Sequence, residues 1–431
     1  MSASLTNLES TGDPRAQIMQ SGAEDERARS FGTLPRLKIL FLSQRVPYPP
    51  NRGDKITTWR LVERMKRNHD VHIVAFAHDE ADVESANKLR EMGFPTTVIP
   101  YRDRWAKLTS LPLLATSTAL TLGVYGSKAL QAVVDREIVD CDMAYAYSSS
   151  MGAFLEKHAS TPRVMHFGEL DSDKWRQYGE RTRFPMSWVY RREQRTLLAF
   201  EQRIARSFTD NVLCTPLEQA VFEREITGAR STVLRNGVDL DYFSPRPAAR
   251  EAAHIVFTGV MNYFPNSDGC VWFVNEILPL VRREHPTARF TIIGSQPTPE
   301  VTQLTKIDGV AVTGFVTDTR DFIARGAVSV APLRIARGIQ NKVLEAMAMG
   351  LPVVGTTCAT QGVDGMAGRD YIVSDDATGF ARAVSSLLAD PDVSAALGSR
   401  ARSFVEANYD WDVVFEPLDQ IIERCRSLRA R

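Results

Sequence analysis

Apolar runs of strand length alternate with amphipathic helical stretches from Leu37 onward, and the alternation begins afresh at His254. Leu37–Ser43 (LKILFLS) is a continuous apolar run, the pattern of a strand buried on both faces. A Pro/Gly-rich loop, Val46–Asp54, separates it from a helix whose apolar positions are Ile56, Trp59, Leu61, Val62 and Met65. Further strands are expected at Val71–Phe76, Thr96–Ile99, Met143–Tyr147, Arg163–Phe167 and Asn211–Cys214, with a charged helix near Asp79–Met92. The second series places strands at His254–Thr258, Ala288–Ile293, Val310–Val312, Val328–Ala331 and Pro352–Gly355, and helices at Asp268–Val281 and Ile339–Met349. Such an order requires right-handed crossovers and parallel sheets. The expected fold is α/β: two doubly wound, Rossmann-like domains facing across a cleft. Residues 1–35 read as a disordered polar tail, 36–235 as the N-terminal domain and 236–410 as the C-terminal domain. Ser231–Glu251 is read as the join, and 411–431 as a helix returning to the first half.

Composition narrows the function. Lys+Arg and Asp+Glu balance at 52 each, so no basic surplus supports nucleic-acid binding. The five cysteines are dispersed, with no CxxC, which suits a reducing cytoplasm and gives no zinc spacing. No GxGxxG or GxxxxGK[ST] follows a strand, which removes the main support for nicotinamide and P-loop readings. Residues 108–127 carry no charge, but Pro112 and Gly123 interrupt them, so a membrane span is not expected. They read as a buried or lid helix, or as an element lying on a membrane. Residues 176–206 hold eight Arg and three Glu, which suits a solvated face or a patch for anionic headgroups. Together these stretches raise peripheral membrane contact as an expectation.

The segment Ala331–Gly355 (APLRIARGIQNKVLEAMAMGLPVVG) carries the most chemistry. On a helix opening near Ile339, Gly338, Asn341, Lys342 and Glu345 share one face. A helix N-terminus presents N–H groups and a dipole to a diphosphate. Lys342 adds a positive charge, and Glu345 can accept two hydroxyls of a ribose diol. The alternative is a core helix with Glu345 satisfied by a neighbour.

GIQNKVLEAMAMGLPVV resembles the C-terminal signature of GT-B-fold, family 4 retaining glycosyltransferases. Leu234–Phe243, with RNGVDLDYF, is similar to that family's linker. Phe257–Pro279, the PYPPNRGDK start (Pro47–Lys55) and the DSDKW block (Asp171–Trp175) resemble bacterial exopolysaccharide sugar transferases associated with PEP-CTERM/exosortase systems. The resemblance implies an acceptor-side N-terminal domain and a nucleotide-sugar-binding C-terminal domain. It implies a hexosyltransferase using a nucleotide diphosphate sugar, a saccharide or lipid-linked acceptor and retention at the anomeric carbon, in exopolysaccharide or glycoconjugate synthesis. No cofactor is expected, and charge neutralisation by Lys342 and a helix N-terminus requires no metal.

Carried over by position, Glu345 is implied to hold the donor ribose. Arg337 stands where the family has the first of its two glutamates, eight residues before Glu345. It is read as a clamp for a carboxylate on the donor sugar, as a diphosphate partner, or as a solvent-facing side chain. The family's basic residue after the first C-terminal strand is also missing. Asn262 and Asn266 are read as replacement donors, and Lys342, Arg334 and Arg337 as the phosphate charges. Asn236 in the linker joins the donor-binding set. In the N-terminal half, Gly53 with Arg52 and Lys55 is expected beside the donor phosphates, against a plain turn with Asp54 as helix cap. His166–Trp175 follows a strand end. Asp171 is the first choice for handling the acceptor proton and Glu169 the second, while His166 reads as a satisfied core histidine. Two alternatives remain: a non-catalytic nucleotide-sugar-binding or assembly protein, and a GT-B-fold sugar-nucleotide epimerase.

Overall fold

The computed structural model describes residues 35–247 and 250–429; the tail expected at 1–35 lies outside them except for Pro35. Seven strands form the first sheet: β1 (Lys38–Ser43), β2 (Asp70–Ala77), β3 (Thr96–Pro100), β4 (Met143–Tyr147), β5 (Arg163–Gly168), β6 (Asp210–Leu213) and β7 (Ser231–Val233). Their order is β3-β2-β1-β4-β5-β6-β7, and every pairing is parallel. The second sheet repeats the plan with β8 (His254–Thr258), β9 (Arg289–Ile293), β10 (Val310–Val312), β11 (Val328–Ala331), β12 (Val353–Gly355) and β13 (Ile372–Val373), in the order β10-β9-β8-β11-β12-β13. The continuous apolar runs are central strands for a simple reason. β1 and β8 each pair on both edges and are covered on both faces, so nearly every side chain is buried.

Both sheets reverse strand order beside the first strand of the series, between β1 and β4 and between β8 and β11. Doubly wound folds bind ligands at the carboxyl ends of strands flanking such a point. The flanking loops therefore follow Ser43, Tyr147, Thr258 and Ala331, and β5, one strand further on, ends at Gly168. The main helices near them are α1 (Gly53–Asn68), α2 (Asp171–Arg181), α3 (Met186–Ser207), α4 (Pro216–Glu225), α5 (Phe264–Trp272) and α6 (Asn341–Ala348). The last helix, α7 (Glu416–Arg429), packs Leu418, Ile421, Ile422 and Cys425 into the first sheet's core. Arg424 anchors it on the fully buried Asp210, at 3.1 Å from Nε.

Three expectations need correction. Ser231–Val233 is the edge strand β7, not the start of the linker. The helix expected over Asp268–Val281 starts earlier, at Phe264, and is broken: a π-turn at Phe273–Ile277 separates α5 from Leu278–Glu284. Pro279 explains the break, because it has no N–H for the preceding turn and its ring needs a wider one. The helix expected from Ile339 begins at Asn341 behind the cap residue Gln340, and Gly338 lies outside it with φ +60°. A Cβ at Gly362 would come within 2.3 Å of the Gly338 carbonyl, so the loop is folded tightly onto its neighbour before the helix can start.

Candidate active site between the lobes

The C-terminal lobe contributes a compact polar pocket. Gly259, just after β8, lies against Gly294: a Cβ on Gly294 would sit 1.7 Å from the Gly259 carbonyl. Behind this contact Asn266 is buried, donating to the Val260 carbonyl (2.9 Å) and accepting from Lys342 Nζ (3.1 Å). Asn266 therefore orients the lysine. Lys342 also lies over the Phe257 ring, 5.6 Å from its centroid. Burial lowers the Lys342 pKa to about 8, with Glu345 opposing the shift. Burial raises Glu345 to about 7, with Lys342 opposing. Among the described residues buried Asn341 Oδ1 has no hydrogen-bond partner, and the half-buried Glu345 carboxylate interacts with the Lys342 charge. At the start of helix α6 the Val343 N–H donates to the Gln340 carbonyl at 2.9 Å, while the N–H groups of Asn341 and Lys342 precede the first intrahelical bond and lie beside them.

Other sequence-selected donor residues are engaged elsewhere. Arg334 forms an ion pair with Asp268, Nε to Oδ2 2.9 Å, and lies over Trp272. Asn262 is exposed and donates to the Gln296 side chain. Asn236 contacts Thr57 of α1 at 3.0 Å, tying the linker to the first lobe. Arg52 precedes α1 and pairs with Asp54 at 2.8 Å. Asp54 lies in the first turn of α1 and is not its cap. Lys55 is held by Asp82 at 2.9 Å within the first lobe. Gly53 is exposed at the start of α1, where a Cβ would meet no atom within 4 Å, so protein packing does not demand glycine there.

The opposite wall is acidic. Glu169 follows β5, and Asp171 opens α2, accepting a hydrogen bond from Ser149 Oγ at 2.8 Å. Asp171 sits in the first helical turn and makes no capping bond. Burial raises the Glu169 carboxyl above its ordinary range, with Arg337 opposing. His166 is buried with Tyr145 Oη 2.7 Å from Nδ1, and burial drives its pKa down to about 3; it is a satisfied core histidine.

Arg337 joins the two walls. It stands on the C-terminal-lobe loop after β11, yet its carboxylate partners all belong to the first lobe. Nη1 donates to Asp173 at 2.8 Å, Nε and Nη2 donate bidentately to Glu218 at 3.1 and 2.5 Å, and Glu169 lies 3.3 Å from Nε. It neither faces open solvent nor is left free for phosphate. Glu218 was not foreseen, although its signal is visible as Thr215-x-x-Glu218 after a strand, the spacing of a capping box. Thr215 does cap α4 by accepting from the Glu218 N–H, but the Glu218 carboxylate reaches Arg337 instead of turning back.

The stretch 108–127 is neither one lid helix nor one core helix. It forms short turns at Leu111–Ala115 and Leu120–Val124, pinned to α3. Arg192 donates to the carbonyls of Leu113, Leu114, Thr116 and Thr118, while Glu193 accepts the N–H groups of Leu120 and Thr121. Two charged residues of the arginine-rich helix thus face inward.

The fold is GT-B. Residues 252–390 match the family model described as "Glycosyl transferases group 1". The chain is 22% identical over 400 residues to an uncharacterized 44.6 kDa protein in the cps region of Klebsiella pneumoniae, covering 88% of this chain and 98% of that one. It is 27% identical over 252 residues to the glycogen synthase of Mycobacterium tuberculosis, spanning 54% of this chain and 58% of the synthase. Similar solved structures include Anabaena Alr3699/HepE in complex with UDP, with TM-score 0.67 and 15% identity over 90% of this chain and all of that one. Sucrose-phosphate synthase from Thermosynechococcus elongatus superposes with TM-score 0.68 at 16% identity, covering 91% of this chain and all of that one.

Proposed function

We propose that the protein is a glycosyltransferase that moves a hexosyl group from a nucleotide diphosphate sugar to an acceptor hydroxyl, with retention, in the assembly of an exopolysaccharide or glycoconjugate. The observation that carries this reading is the pocket of α6. The Glu345 carboxylate and the buried, unpaired Asn341 Oδ1 flank Lys342 at a helix N-terminus, inside the segment matched to glycosyl transferases group 1. A ribose diol would satisfy Glu345, and the diphosphate would lie against Lys342 and the first-turn N–H groups. Uridine diphosphate bound to a structural neighbour and a relative from a cps region support the donor and pathway readings.

The bond from anomeric carbon to phosphate oxygen breaks, and the acceptor oxygen bonds to that carbon from the same face. The acceptor proton passes to the departing phosphate oxygen, with Asp171 or Glu169 orienting the hydroxyl. Preorganised donors aimed at the growing phosphate charge lower the barrier, and in this reading Lys342 supplies that charge without a metal. The decisive experiment is a nucleotide-sugar panel read by thermal shift and nucleoside diphosphate release, with and without EDTA. The expected result is one donor that raises the melting temperature in wild type and not in Glu345→Ala. Unchanged binding in that variant defeats the assignment, and activity abolished by EDTA defeats metal independence.

We also propose peripheral docking of the first lobe on anionic membranes. No described helix is long and apolar enough to cross a bilayer. Trp105, Leu108, Leu111, Phe184 and Trp188 are nevertheless all more than half exposed, beside Arg102, Arg104, Lys107 and Arg183. Exposed apolar side chains with cations close by in the sequence suit an interface with acidic headgroups. Sedimentation with phosphatidylglycerol vesicles, but not with phosphatidylcholine vesicles, is expected. Equal recovery with both, or none with either, rejects docking.

A further inference from the structure

Glu201 is fully buried in the middle of α3, on the face that also carries Leu197 and Ile204. We infer that Glu201 is a positioning residue for the transfer reaction: it caps the first turn of α2 from outside that helix and so fixes where Asp171 stands. The inference rests on the reading that Asp171 orients the acceptor hydroxyl, and names the group that holds Asp171 in place.

The start of α2 needs such a group. The first N–H groups of a helix have no intrahelical acceptor, and Ser172 is buried, so its N–H cannot turn to water. Leu170, at the cap position, has no polar side chain, and Asp171 is already inside the first turn. The acceptor comes from 29 residues further along the chain: Glu201 Oε1 lies 3.4 Å from the Ser172 nitrogen. The Asp171 carboxylate is held separately by Ser149 Oγ, 2.8 Å from Oδ2. A cap that only secures a loop is built differently on the same helix. Glu193, two turns earlier, accepts the N–H groups of Leu120 and Thr121 at 2.7 and 2.8 Å, with Arg192 3.6 Å away as its countercharge. Glu201 has no such cation. Its Oε2 is buried without a partner, and the charged group that bears on it is another carboxylate, Asp171. Burial pushes the Glu201 carboxyl up to about 8, the Asp171 charge adds to the rise, and donors on Ser172 and Asp171 oppose it. At neutral pH the carboxyl therefore keeps its proton, on the oxygen that accepts nothing. A neutral acid caps the helix without setting a second negative charge beside Asp171.

Two measurements on the full chain test the inference. The first needs no substrate: urea unfolding of wild type and Glu201→Gln across pH. A folded pKa above the ordinary 4.5 makes wild type lose stability relative to Glu201→Gln as pH climbs from 4.5, until the loss levels off beyond about 8. Asp171→Asn, made in both backgrounds, should move that levelling down by about half a pH unit or more. Parallel profiles of wild type and Glu201→Gln overturn the inference, as does a levelling that Asp171→Asn leaves in place. The second measurement is nucleoside diphosphate release from UDP-glucose, or from whichever nucleotide sugar of the panel wild type turns over. Glu201→Ala should lower kcat about tenfold with little change in donor KM, and Glu201→Gln should recover most of that loss. In an Asp171→Ala background Glu201→Ala should cost little more, because the group it positions is gone. Equal losses in the two Glu201 variants, or losses that add in full to that of Asp171→Ala, overturn the inference. Should Glu201→Ala not fold, the pH series with Glu201→Gln still decides. Wild-type kcat in Asp171→Ala defeats the acceptor reading of Asp171 itself, and the substrate-free series tells that failure apart from a failure of Glu201.

Discussion

Arg192 and Arg337 are both largely buried, with side chains 7% and 17% exposed, yet they spend their hydrogen bonds in opposite ways. Arg192 gives them to four main-chain carbonyls of one loop in its own lobe. Arg337 gives them to the carboxylates of Asp173 and Glu218 on the opposite lobe, with Glu169 at 3.3 Å from Nε. Carbonyls neither titrate nor leave without unfolding their loop, so the first guanidinium is architecture. Carboxylates on a separate lobe can be rehydrated together when the lobes part, so the second is a joint that can open. A buried charge is expensive to strip of its partners in either place. What differs is whether the partners can find water while staying folded.

That contrast can be broken at several points. Arg192→Ala leaves the loop carbonyls without their donor and Glu193 without its neighbouring countercharge; the expected loss is about 3–5 kcal/mol in urea unfolding of the first lobe, with faster amide exchange over residues 111–121. Arg337→Ala should cost less stability, about 1–3 kcal/mol, because Glu218 can hydrate on opening. It should nonetheless expand the molecule in small-angle scattering, as Arg192→Ala does not; an unchanged scattering profile would show that Arg337 is no joint.

A third test uses pH and the α6 pocket. The folded pKa of Glu345 is raised to about 7 from an ordinary 4.5, so the folded state holds that proton more tightly. Its contribution to stability falls as pH climbs from about 4.5 through 7. Lys342 is lowered to about 8 from 10.5, so the folded state releases that proton first, and its contribution rises with pH between those values. Relative to Glu345→Gln, wild type should therefore lose stability between pH 5 and 7 in denaturant titrations. Nucleotide affinity should weaken above pH 8 as the ammonium is lost. The smallest effect is expected from Leu108→Ser, which should shift stability by less than about 0.5 kcal/mol while lowering vesicle binding. A large stability loss there would mean that the exposed apolar face is packed.

Much of the layout was legible along the chain. Met143–Tyr147 and His254–Thr258 are strands at the residues expected, because continuous apolar runs with short bounds have few other stable places. Strands β7 and β13 escaped notice because they are three and two residues long and sit at sheet edges, where pairing, not composition, makes them strands. Of the site, Asn341, Lys342 and Glu345 do share a helix, as their spacing requires. Gly338 does not join them, since its left-handed backbone ends the loop before the helix starts. Arg334, Asn262 and Lys55 were reasonable phosphate ligands by type, but each has a carboxylate or amide neighbour in space.

The sequence by itself determined the class of fold and the chemistry of the α6 pocket, because both arise from periodicities and spacings within a few turns of chain. Tertiary structure alone decided what Arg337 does. Its partners Glu218 and Asp173 lie 119 and 164 residues away, and only the approach of two separately wound sheets brings them within reach. A guanidinium on a loop has no intrinsic partner; whichever carboxylates the fold leaves beside it, out of water, determine whether it meets a ligand or another part of its own chain.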